Sequence, residues 1–236
     1  MVLLALLGLV AGVLTTLAGM GGGLFLLVAV GLMTGPKEAL AVTAPALLVS
    51  NAHRAFLFRQ HVDRRLAGIV ALGVIPGALA GALVLPEIPE VVVALLFTAS
   101  TVVALLRATG RLKIQLGGRW IIVYSVVIGA LTATSGGAGM LIAPLVLSTG
   151  LSGSAYVATV AVCAIAMHVG RVIGYGTVGL LVAEQLPIVA TLLGGLVLGN
   201  LLGRRLRGRL SPGVEKRVEL VALVVANIAA LANVLR

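Results

Sequence analysis

The residues of this chain best equipped for chemistry are basic, and each is surrounded by hydrophobic sequence. His53 and Arg54 come late in one apolar stretch, and His168 and Arg171 come late in another. An ionisable side chain held at membrane depth is costly and counts as a functional hypothesis by default. Neither stretch contains Asp or Glu, which argues against a cation pathway and favours a negatively charged passenger gripped by guanidinium forks. On a helix His168 and Arg171 share a face, as do Arg171 and Tyr175. Arg54 has two readings, a side chain that snorkels to cytoplasmic water or a ligand. Arg171 breaks the charge bias of its side of the chain and reads as a ligand or gate. Asn51, next to Ser50, shares the span of His53, while Thr43 and Thr159 occupy matched positions. Such donors would complete an oxyanion cage or bond their own helix carbonyls. Either histidine can carry a proton near neutral pH.

A second kind of chemistry resides in bare backbone. The stretch LTTLAGMGGGLFLLV, from Leu14 to Val28, crowds Gly19, Gly21, Gly22 and Gly23 into five positions, and Ser135, Gly136, Gly137 and Gly139 form a similar cluster, SGGAG. Each glycine inside a helix costs about 1 kcal/mol relative to alanine. Close helix packing wants small residues every fourth position, not a consecutive run. A broken helix whose N–H groups and positive dipole end face a bound anion would use them. The runs Gly73, Gly77, Gly81 and Gly195, Gly199, Gly203 do have the packing spacing, and they are assigned to helix contacts with no chemistry. Pro45, Pro76 and Pro144 read as kinks.

The elements that position these residues follow from composition. The chain is 60% hydrophobic and 10% charged, with mean hydropathy +1.20, which excludes a water-soluble globule. Apolar runs long enough for a bilayer recur at 3–18, 39–58, 66–85, 91–106, 120–134, 154–175, 186–202 and 218–235, with shorter arms at 24–33 and 140–147 after the glycine clusters. The expected fold is an all-α polytopic membrane protein of about eight hydrophobic spans. Its single cysteine, Cys163, offers neither a disulfide framework nor a thiolate metal site. The first run lacks a basic leader region and is read as retained.

Most of the 17 Lys and Arg residues fall in three groups, around Arg54 to Arg65, Arg107 to Arg119 and Arg204 to Arg217. The net charge of +10 therefore reflects cytoplasmic loops of a cell-membrane protein and not nucleic-acid binding. The glycine clusters then fall where the chain turns or breaks within the membrane. They are also copies of each other at a spacing of 116 residues, Gly19, Gly21 and Gly23 falling on Ser135, Gly137 and Gly139. Equivalent loops in the two halves carry opposite charge. The expected organisation is thus two inverted-topology repeats in one membrane domain, 1–115 and 116–236, each opening with a Gly-rich broken or re-entrant helix, as secondary transporters are built. The histidines lie 115 apart, so their symmetry is approximate.

No P-loop lysine, HExxH motif or Ser/His/Asp set is visible, so neither catalytic residues, metal ligands nor a cofactor are expected. The G-x-G-G-G break at Gly19 to Gly23 followed by G-P-K-E-A (Gly35 to Ala39), the second break ending in Pro144, and the paired GxxxG helices resemble the sulfite exporter TauE/SafE family nearly end to end. The chain departs from that pattern at Val28, where the first motif usually has Pro, and at SGGAG. The resemblance implies export of small sulfur-containing anions, sulfite or organosulfonates, across the cytoplasmic membrane. The expected partners are a small anion and the lipid bilayer, with a homo-oligomer left open. An anion channel is the alternative from another class, and a membrane-embedded enzyme or assembly factor for sulfur metabolism is a third.

Overall fold

The computed structural model describes residues 1–18, 21–108, 111, 120–206, 209, 221 and 224, and every regular element among them is helical. In chain order they are α1 (Val2–Ala18), α2 (Gly22–Thr34), α3 (Pro36–Leu57), α4 (Arg64–Val84), α5 (Glu90–Ala108), α6 (Ile121–Ser135), α7 (Ala138–Leu147), α8 (Gly153–Thr177) and α9 (Leu186–Leu206). Each expected span up to residue 202 falls on one of these helices, and the short arms are α2 and α7. The span at 218–235 lies outside the described residues apart from Val221 and Val224, as do Gly19 and the basic residues Lys113, Arg119, Lys216 and Arg217.

Helices dominate because hydrocarbon offers no partner for a free peptide group. Ends are settled locally. Pro36 opens α3, where its missing N–H costs nothing, and Asp63 caps α4 by accepting from the Leu66 N–H at 2.9 Å. Pro45, Pro76 and Pro144 lie inside continuing helices.

The glycine clusters interrupt the chain as expected. Gly21, between α1 and α2, has φ of 87°, and Gly136 and Gly137, between α6 and α7, have 69° and 73°. Side chains rarely adopt that region, so the breaks need glycine there. With 15 residues in α6 and 10 in α7, at about 1.5 Å rise per residue, neither arm crosses a hydrocarbon core of about 30 Å. Among the described residues, the stretches Arg64–Glu87, Gly153–Thr177 and Ala183–Leu206 are long and apolar enough to do so.

Two helix pairs lock through glycine. A Cβ added at Gly73 of α4 would stand 2.5 Å from the Ile122 carbonyl oxygen of α6, and one at Gly129 of α6 would stand 2.5 Å from the Val74 carbonyl. In the other pair, a Cβ at Gly8 of α1 would meet the Leu192 carbonyl of α9 at 2.5 Å, and one at Gly12 the Gly199 Cα at 3.0 Å. The GxxxG runs are contact surfaces, as their spacing indicates.

Between these pairs α3 packs against α8. The two run antiparallel: Asp63, just beyond α3, donates its N–H to the Thr159 hydroxyl near the start of α8, while Arg171 near the end of α8 reaches the Leu40 carbonyl near the start of α3. The outward faces stay apolar, with Leu6 and Val10 on α1, Leu72 on α4, Val123 and Val127 on α6 and Leu198 on α9 exposed, as lipid-facing surfaces require.

Candidate functional site

Arg54 does not snorkel. Its side chain is only 2% exposed. Nη1 donates to the Thr15 carbonyl at 2.8 Å, and Nη2 donates to Asn51 Oδ1 at 2.6 Å. Asn51 is fixed in turn by donating Nδ2 to the Leu47 carbonyl at 2.7 Å. The reach to water expected of a side chain near a helix end is overridden because the last turn of α1 presents carbonyls to the inward face of α3. That turn precedes the Gly-rich break, where helix carbonyls lack intrahelical partners and carry the negative end of the dipole.

Arg171 forms the second centre, also 2% exposed. Nη2 donates to the Leu40 carbonyl of α3 at 3.1 Å, Nε donates to the Tyr175 hydroxyl at 3.2 Å, and Nη1 lies 3.4 Å from His168 Nδ1. The Tyr175 hydroxyl donates onward to the Ala133 carbonyl at 2.6 Å, in the last turn of α6 just before the second break. Helical spacing places His168 and Tyr175 one turn to either side of Arg171, so the shared face expected from the sequence is present. The field of both guanidinium groups falls on His168, which is 1% exposed. Each buried arginine is therefore connected to the C-terminal turn of a broken helix, Arg54 directly and Arg171 through Tyr175. The partners named are neutral.

The breaks meet. A Cβ at Gly137 would lie 3.8 Å from Leu24 Cδ1 in the first turn of α2, and one at Gly136 would strike the Leu27 side chain. Gly22 faces Thr15 and Ala11 of α1, while Gly23 faces Leu47 of α3 at 3.7 Å. Neither α2 nor α7 has a side-chain cap at its N-terminus, where Gly21 and Gly137 occupy the cap positions. Gly139 lies in the first turn of α7. Ser135 accepts from the Ser100 hydroxyl at 3.0 Å and donates to the Leu131 carbonyl at 2.7 Å, tying α5 to the second break.

Other expected members do structural work. Thr43 donates to its own helix at Ala39, 2.6 Å away, and the Thr159 hydroxyl accepts the Asp63 N–H at 3.0 Å. They do not come together as a cage. His53 is half-buried, and its Nδ1 finds no hydrogen-bond partner among the described residues.

The structure adds residues that sequence reasoning passed over. Asn200 of α9 is fully buried, donating Nδ2 to Ser50 Oγ at 3.0 Å and to the Ser50 carbonyl at 3.1 Å while accepting from the Thr16 hydroxyl at 3.0 Å. It joins α1, α3 and α9 beside Arg54. An amide inside an otherwise apolar GxxxG helix was the available signal. Tyr175 was noticed as a neighbour of Arg171, but its bond to α6 was not foreseeable.

Chemically, the arrangement concentrates fixed positive charge and uncapped helix N-termini near two breaks, without a carboxylate among the named partners. No group of three or more His, Cys, Asp or Glu that could hold a metal ion occurs among the described residues. Two guanidinium groups and an imidazole suit a small oxyanion. In comparisons with known proteins, residues 4–230 match the family model described as Sulfite exporter TauE/SafE. No curated protein and no solved structure matches the chain.

Proposed function

This chain belongs to the sulfite exporter TauE/SafE family of membrane transporters, and from that premise we propose that it is a secondary carrier that exports sulfite or a closely related sulfur oxyanion across the cytoplasmic membrane. Arg171 and Arg54, with His168 and the two uncapped helix starts, form the anion site. The observation that carries this reading is Arg171 itself, 2% exposed, with Leu40, His168 and Tyr175 as its hydrogen-bonding contacts. A buried cation surrounded by neutral groups is poorly compensated, and a passing anion supplies the missing countercharge through charge-assisted hydrogen bonds.

Transport proceeds by alternating access between two inverted halves, 1–115 and 116–236. Support comes from packing that recurs on exchange of halves. α1 packs on α9 as α6 packs on α4, and α2 packs on α3 as α7 packs on α8. The loop charges, basic around Arg59 to Arg65 and again from Arg204 onward, support a cytoplasmic membrane with those loops inside. The protein moves its passenger unchanged and performs no catalysis.

The test is uptake by vesicles containing the purified protein, offered sulfite, thiosulfate, sulfate or methanesulfonate. Saturable, protein-dependent uptake of sulfite, with sulfate slower, is the expected outcome. Equal and non-saturating passage of all four anions contradicts the carrier reading, and passage of none contradicts the anion site.

A further inference from the structure

The contact between Arg171 and His168 constrains protons as well as anions. Arginine keeps its proton, so Nη1 can only donate. Its position 3.4 Å from His168 Nδ1 is attractive when Nδ1 carries no proton, the arrangement of a neutral imidazole with its hydrogen on Nε2. A proton arriving at Nδ1 would turn that contact into two opposed donors. From α3 the charge acting on His168 is Arg54, and from its own helix it is Arg171. α6 and α7 contain no charged residue, α4 carries its charges at its first turn as Arg64 and Arg65, and the turn Arg59–His61 carries Arg59 and His61.

An anion between Arg171 and His168 reverses this balance. It accepts from the guanidinium, draws Nη1 away from the ring and offers an imidazolium N–H an acceptor. Because binding linkage is reciprocal, an anion that favours protonation is itself bound more tightly by the protonated site. We infer that His168 is a proton-binding site coupled to the anion site, so that one proton loads at Nδ1 with each anion and leaves with it on the other side. The inference rests on the transporter reading above and adds the coupling ion. A monovalent anion then crosses with no net charge, and a divalent one with a single negative charge.

The experiment uses vesicles of purified protein with an entrapped pH indicator, the membrane potential clamped, and sulfite as the probe. Proton movement per sulfite is compared between the wild type and His168→Gln. Any proton that sulfite itself carries is common to both, so the difference belongs to the imidazole. Sulfite accumulation driven by a pH gradient is expected to fall at least tenfold in His168→Gln, and the protons moved with each sulfite that still crosses are expected to fall to those sulfite itself carries. His61→Gln, at an exposed position in the turn, is expected to behave as wild type. If His168→Gln does not fold, the double variant His53→Gln/His61→Gln leaves His168 as the last histidine, and retained proton movement supports the inference. Proton coupling that survives in His168→Gln, or that vanishes in the double variant, overturns it. Absence of any sulfite movement in the wild type sinks the transporter reading instead, and the coupling with it.

Discussion

At the scale of single residues, Arg171 holds a charge where a hydrophobic side chain would be better tolerated. Leu40 lies inside α3, where its carbonyl already receives the helix's own bond, and Tyr175 keeps Ala133 as a partner without Arg171. Replacing a buried charge by a residue of similar volume is often neutral or stabilising. Arg171→Met is therefore expected to melt no lower than the wild type while losing at least tenfold in sulfite flux, the signature of a residue kept for function. A large fall in melting temperature with unchanged flux per folded molecule would assign the arginine to structure. Tyr175 positions Arg171 against the end of α6. Removing its hydroxyl in Tyr175→Phe forfeits the hydrogen bond that holds Arg171 Nε, worth about 1 kcal/mol, so a roughly fivefold loss in flux is expected. Restoration by a second route, such as wild-type flux in Tyr175→Phe at higher sulfite, would show that the defect lies in affinity.

At the scale of elements, the glycine pairs set how closely α4 and α6 approach. Gly73 faces Ile122 and Ser125, where a Cβ would fall at 2.5 Å from backbone and side chain alike, whereas Gly68 on the same helix has nothing within 4 Å. Gly73→Ala is expected to destabilise the protein by about 1 to 3 kcal/mol through overpacking. Gly68→Ala is expected to stabilise it by up to about 1 kcal/mol through helix propensity. Thermal melting in detergent distinguishes the two, and similar shifts in both would mean that the helices do not meet at Gly73. Much of this level was legible in the sequence, because the physics is local. A glycine run too dense for packing marks a break, an apolar run of bilayer length marks a helix, and a spacing of four marks a contact face. Burial of Arg54 was not legible, since a long side chain near a helix end can reach water or turn inward, and the choice depends on carbonyls of α1 distant in sequence. The same holds for Asn200, whose partners Thr16 and Ser50 lie 184 and 150 residues away. The Thr43 and Thr159 positions matched in sequence, yet each hydroxyl is used locally or at a helix start, because matched spacing says nothing about which way a neighbour's backbone presents its donors.

At the scale of the whole molecule, the glycine-locked pairs α1 with α9 and α4 with α6 flank the α3 and α8 helices that carry the arginines. The broken arms α2 and α7 meet between them. The centre combines apolar packing of α2, α3, α7 and α8 with the hydrogen bonds that Arg54 and Arg171 make to backbone carbonyls. Carrier and channel differ here in a way that flux alone does not reveal, because a carrier must return with its site occupied or bare. Counterflow reads that difference directly. Vesicles preloaded with unlabelled sulfite are expected to take up labelled sulfite several-fold faster than unloaded vesicles, with transient accumulation above the external level. Preloading that leaves the initial rate unchanged, with label rising only to equality, would contradict a site that opens to one side at a time.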